Sequence, residues 1–201
     1  MAVKKTETKK KVTTEKEVEQ IQTKEPIIEA KKRYTSRELR KLISKDLEVT
    51  IMNTCPGTFY YECPRTGMVI ELDGFGDCTE VEIEVLNTMK SRAKGIFKSF
   101  MIMVVDVISD EFDLEDILTY LSLDDKYKGL DIYDGECLDD IILKSTSDEF
   151  LRFTEKSDIN LCVQIAKRCI TLFREGEHDI QYRANTLCKR LGVEDIFLIE
   201  E

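Results

Sequence analysis

Leu47-Glu48-Val49-Thr50-Ile51-Met52-Asn53, Thr58-Phe59-Tyr60-Tyr61-Glu62 and Met68-Val69-Ile70-Glu71-Leu72 follow one another within 26 residues. Each is a short β-branched or aromatic run, and the first alternates, placing Leu47, Val49 and Ile51 on one face. Pro56-Gly57 and Pro64-Arg65-Thr66-Gly67 punctuate them as turns. The spacing predicts an antiparallel meander of three strands, the sheet of an α+β fold. Upstream, Thr35-Ser36-Arg37-Glu38 has the form of a capping box, so a helix is expected from Ser36 to Ile43 with Leu39, Leu42 and Ile43 inward. Downstream, Thr79-Glu80-Val81-Glu82 has the same form and predicts a helix carrying Val81, Val85, Leu86 and Met89. Gly95 ends or interrupts it, and Phe97 to Val107 reads as a fourth strand.

From Asp110 the periodicity becomes helical throughout. The spacing predicts helices over 113–122, 135–144, 148–153, 159–175 and 180–191. Ser157-Asp158 starts the longest and Gly176 stops it, while Gly192 closes the last. The expected organisation is therefore a basic N-terminal arm over 1–33, an α+β domain over 34–109 and an acidic helical domain over 110–201.

Charge divides along the same lines. Residues 1–33 carry ten Lys/Arg against six Glu, a net of +4, and residues 34–201 carry 20 against 34, a net of −14. Of that body, residues 110–201 hold 23 acidic and 11 basic residues. The arm has too few apolar residues to bury, and Pro26 interrupts any helix continuing from 14–23. It reads either as a solubilising tail or as a segment that orders on a partner. In the second reading Ile21, Ile27 and Ile28 anchor the contact, and Lys9, Lys10 and Lys11 supply attraction with little specificity. The remaining 168 residues can bury a core without metal or disulfide help. The longest apolar run, Phe100 to Val105, is far short of the roughly 20 residues a bilayer helix needs. The lysines of the N-terminus precede no apolar segment, so a secretory leader is not expected and the chain is placed in a cytosol.

Chemistry-bearing patterns are weak. Gly74-Phe75-Gly76-Asp77 lacks the third glycine and the Lys-Ser/Thr pair of phosphate loops, and Asp73, Asp77 and Glu80 would repel a phosphate. Cys55, Cys63 and Cys78 lack a fourth ligand, and His178, the one histidine, is far along the chain between acidic neighbours. The seven cysteines include no CxxC pair; Cys162 and Cys169 share an apolar helical stripe, so they read as core thiols. Asp113-Leu114-Glu115-Asp116, Asp124-Asp125 and Asp139-Asp140 fall at helix starts, where carboxylates favour the dipole. No catalytic residue, metal or cofactor is implied, and an enzyme is not expected. Lys90, Arg92, Lys94 and Lys98 form a basic patch that, with the arm, keeps a nucleic-acid-associated regulatory or packaging factor as the alternative.

Several short stretches together carry a resemblance. Residues 34–42 (YTSRELRKL), with 48–53 (EVTIMN) and 72–77 (LDGFGD), are similar to the opening of uncharacterised proteins of tailed phages of low-GC hosts. Leu86-Asn87-Thr88-Met89-Lys90 and Gly95-Ile96-Phe97-Lys98 continue the likeness, followed by an acidic helical half. The resemblance covers most of residues 34–201. It implies a virion structural or assembly protein, at the capsid, neck or tail, present in host cytoplasm during assembly. Other virion subunits would be its partners, in a homo- or hetero-oligomer, with no membrane involved.

Overall fold

The computed structural model describes residues 33–127, 138–176 and 180–198. The expected arm contacts at Lys9, Lys10, Lys11, Ile21, Ile27 and Ile28 lie outside these residues, as do Cys137 and His178. Residues Arg33–Glu201 form one compact unit.

The unit is α+β, a small antiparallel sheet with helices and then a helical C-terminal stretch. Helix α1 (Ser36–Leu42) opens on the expected capping box: the Thr35 hydroxyl accepts from the Glu38 N–H, and the Glu38 carboxylate accepts from the Thr35 N–H at 2.9 Å. Strand β1 (Glu48–Asn53) then enters the centre of a three-stranded sheet, between β4 (Cys78–Glu82) and β5 (Ile102–Val107), antiparallel on both sides. The expected meander is therefore corrected. Strands β2 (Phe59–Glu62) and β3 (Val69–Leu72) pair only with each other, in register Phe59↔Leu72 through Glu62↔Val69. Val49, Ile51 and Met52 are all buried, so β1 has apolar side chains on both faces and belongs in the middle of a sheet. The hairpin turn closes tightly, with the Gly67 N–H donating to the Cys63 carbonyl at 2.8 Å and Gly67 at φ 73°, which only glycine adopts freely.

The second predicted capping box fails for a related reason. Residues Cys78–Glu82 form strand β4 on β1, with Val81 opposite Val49, and helix α2 (Ile83–Arg92) starts later without a side-chain cap. A cap contributes about 1 kcal/mol, whereas burying Val81 in a five-residue ladder contributes more. The glycine-containing loop 73–77 thus leads into a strand rather than a helix. The fourth predicted strand is shortened in turn. Residues Gly95–Lys98 are a helical turn, α3, Phe100 takes φ 50°, and strand β5 spans only Ile102–Val107.

Helices α4 (Leu114–Leu121), α5 (Asp124–Tyr127), α6 (Leu138–Leu143), α7 (Ser147–Lys156), α8 (Ile159–Glu175) and α9 (Gln181–Leu191) follow, and a 3-10 turn covers Ile196–Leu198. The acidic clusters sit at helix starts as expected: Asp113 and Asp116 make a reciprocal cap on α4. Gly176 and Gly192 close α8 and α9 in left-handed conformation. One hydrophobic core runs from Leu39 through Phe100, Phe112 and Ile165 to Ile196, spanning both the sheet and the helices. No helix among the described residues is long and apolar enough to cross a membrane.

Cys162 and Cys169 are fully buried on α8, as their stripe implied. Burial pushes the Cys169 thiol up to about 12 and raises Cys162 as well. In the unfolded chain both ionise near 9.0, so their contribution to stability is complete below that pH and is lost as pH rises above it, for Cys169 towards 12. The Cys169 thiol is expected to weaken the fold by about 1.4 kcal/mol per pH unit in that window, and Cys162 to add a loss in the same direction. Urea midpoints at pH 8 and 10 measure this. At pH 8 a thiol reagent should label exposed Cys78 first and leave Cys63, Cys162 and Cys169 untouched until urea unfolds the chain.

Candidate protein-interaction groove

Two connections, one from α1 to β1 and one from β5 to α4, run side by side because the Ile108 N–H donates to the Glu48 carbonyl at 3.1 Å. Between them lies an open groove of about 370 Å³. Helix α1 ends at Leu42, and Ile43 turns inward in extended conformation, so Leu42 is left outward. Leu42 was expected inward; it is instead 50% exposed at one lip of the groove. Ile108 faces it from the other lip, 47% exposed. Leu47 and the buried Phe112 ring complete the apolar lining.

Each wall is held by local hydrogen bonds. The Ser44 hydroxyl donates to the Asp46 carboxylate, and this bond, with one from the Asp46 backbone, holds that carboxyl below the usual range. On the facing wall the Ser109 Oγ accepts from the N–H groups of Glu111 and Phe112, both at 3.1 Å. Asp46, Glu48 and Glu111 therefore line an apolar floor with carboxylates, and none of the three is ion-paired among the described residues. The nearby Lys45 turns away to Glu84 at 3.6 Å. Phe112 also meets the ring of Tyr34, centroids 6.4 Å apart, and Arg33 pairs with Glu115 at 3.4 Å. The body's first residues consequently lie against a groove residue.

The groove can hold apolar side chains and attract cations at its edge. Its hydroxyls are engaged in the two turns rather than aimed into the opening. Sequence reading placed Leu42 in the core and did not single out Ile108 or Glu111. The one available signal was the brevity of α1: in seven residues Leu42 and Ile43 cannot both follow Leu39 inward once the helix ends.

The other patterns fall elsewhere. In the loop 73–77, the Gly76 N–H donates to the Asn53 carbonyl at 2.8 Å and the Asp73 N–H to Asp77 at 3.0 Å, so these donors already serve the fold. Cys55 and Cys78 hydrogen-bond the carbonyls of Met101 and Gly76, Cys63 is buried, and no metal-ligating group of three occurs among the described residues. Lys90 of the basic patch is half-buried, and burial, then the charge of Arg40, pulls its ammonium below the usual lysine range. No family model, curated protein or solved structure matches the chain.

Proposed function

We propose that this chain is a non-enzymatic virion assembly protein of the tailed-phage kind, which joins other virion subunits through its basic arm and its acidic body. The groove supports this reading most directly. Leu42 and Ile108 expose apolar surface beside carboxylates that have no ion-pair partner among the described residues, on a body whose N-terminal arm is rich in lysine. Exposed apolar surface rimmed by polar groups is the usual mark of a binding surface. The resemblance of residues 34–53 and 72–98 points the same way and suggests the capsid, neck or tail. The second reading, a nucleic-acid-associated factor, draws on Lys9, Lys10 and Lys11 and on the crowding of Arg40 with Lys90. The body's net of −14 opposes it.

Light scattering on the full chain and on a chain starting at Tyr34 tests the first reading. A defined oligomer that is lost on truncation is the expected result. A DNA titration at two salt concentrations tests the second. Affinity falling at least about 100-fold between 50 and 200 mM salt would reveal several phosphate contacts and displace the assembly reading.

A further inference from the structure

We infer that the groove between residues 42–48 and 108–112, with the acidic sheet face that continues it, receives an extended basic segment of a partner protein. One apolar side chain of that segment enters the groove and two cations lie along β1. The inference rests on the assembly reading above and adds the chemistry of the partner that meets the acidic body.

The sheet register sets out the surface. In an antiparallel pair, directly opposite residues point to the same face. Glu48 lies opposite Glu82, and the Ile108 N–H reaches the Glu48 carbonyl, so Glu82, Glu48 and Ile108 form one rung across the sheet. Two residues along β1, Thr50 lies between Glu80 and Asp106 as the next rung. All of these except Thr50 are exposed. Further along, Met52 and Met103 are paired and buried, so the open part of this face is the two rungs beside the groove.

Charge selects the occupant. Like charges directly opposite one another destabilise a sheet. The Ile83 N–H donates to the Leu47 carbonyl at 2.9 Å, which makes Glu48 and Glu82 a non-hydrogen-bonded pair, the kind whose side chains come closest. No ion pair among the described residues includes Glu48, Glu80, Glu82 or Asp106. Asp106 accepts from the Val107 N–H at 2.8 Å with one oxygen, and Lys45 is committed to Glu84. The free fold therefore bears a repulsion that cations laid across the rungs would remove. At the same end Leu42 and Ile108 hold apolar surface open. An anionic partner, or a second copy of this face, would meet carboxylate with like charge. A purely cationic ligand would leave the groove unfilled. Spacing completes the motif: residues i and i+2 of an extended chain are about 7 Å apart, as are the two rungs. An apolar residue against Ile108 and Leu42 thus sets lysine or arginine at i+2 and i+4 over the Glu48 and Thr50 rungs.

Fluorescence anisotropy of a labelled, end-blocked peptide Ile-Ser-Lys-Ser-Lys tests this on the full chain. Binding is expected, weakened about tenfold by Glu48→Gln with Glu80→Gln and about tenfold by Ile108→Ser. All three positions are exposed, so the fold should persist. Glu48→Gln alone should melt about 1–3 °C higher, since it removes the facing charge. The peptide Ser-Ser-Lys-Ser-Lys should bind wild type about tenfold more weakly and should not distinguish it from Ile108→Ser. Absence of binding, equal binding of the two peptides, indifference to these substitutions, or a Glu48→Gln variant that melts no higher overturns the inference. A wild-type oligomer that dissociates on Glu48→Gln with Glu80→Gln also overturns it, because the occupant is then a second copy. Light scattering judges the assembly reading separately. An oligomeric chain that ignores the peptide keeps that reading and loses this site. A monomeric chain that binds the peptide keeps the site and loses self-assembly.

Discussion

Arg168→Ala is expected to lower the melting temperature by about 5–12 °C, corresponding to about 2–4 kcal/mol. The guanidinium of Arg168 donates to both Asp139 oxygens, at 2.9 and 2.8 Å, a two-pronged contact between α8 and α6. It also lies over the Phe75 ring, 5.1 Å from the centroid, and approaches Glu175 at 3.8 Å. Both partners of the pair are shielded, with side chains 15% and 24% exposed, so Asp139 would lose its counter-ion where water replaces it poorly. Arg168→Lys keeps the charge without the fork and should recover less than half of the loss. Melts followed by circular dichroism, with the cycle completed by Asp139→Asn, separate the pair from the packing. Coupling near zero in that cycle would reassign the effect to the Phe75 contact.

That pair also shows where sequence reading stops. Asp139 was legible as a helix-start carboxylate, and it does lie in the first turn of α6. Its partner, 29 residues away, was not legible, because ion pairing between helices depends on packing that no local pattern encodes. The same holds for the sheet. Strands β1, β2, β3 and the later part of β5 were legible from their β-branched and aromatic runs, β4 was not, and helices α1, α4, α8 and α9 were legible from caps and periodicity. The pairing was not: local turns suggested that β1 should pair with β2, whereas burial of both faces of β1 selects the distant β4 and β5. The capping-box pattern at Thr79 is the sharpest case, a local signal overridden by a tertiary ladder. The groove was illegible for the same reason, since its two walls are separated by 60 residues and meet only once β1 and β5 pair.

Charge adds a functional consequence to that architecture. The groove lies at one end of the β1–β5 pair, where the Ile108 N–H still bonds to the Glu48 carbonyl. Its walls are thus held by the pairing of β1 with β5. A residue that joins sheet and helices is the point where loss of packing should cost the fold most.

Phe100 is such a residue, and Phe100→Ala is expected to destabilise the chain by about 3–5 kcal/mol. The side chain is 1% exposed, its ring lies 5.9 Å from that of Tyr127, and the Lys126 ammonium sits 4.9 Å from its centroid. Its carbonyl accepts from the Thr54 hydroxyl, and the neighbouring Ser99 carbonyl accepts from Gln164 of α8 at 2.8 Å. Residues 99 and 100 therefore join the end of β1 to the helical half through backbone as well as ring. The backbone at Phe100 takes φ 50°, a conformation that disfavours any side chain by about 1 kcal/mol or more and glycine hardly at all. Phe100→Gly should therefore be less damaging than Phe100→Ala, by roughly 0.5–1 kcal/mol, although glycine ordinarily gives the weaker fold. Urea unfolding of the two variants measures the difference. If alanine proves the more stable, the left-handed backbone contributes no strain and the ring alone holds the junction. If glycine does, the packing of Phe100 offsets a strained reversal, and that reversal is what turns α3 into β5.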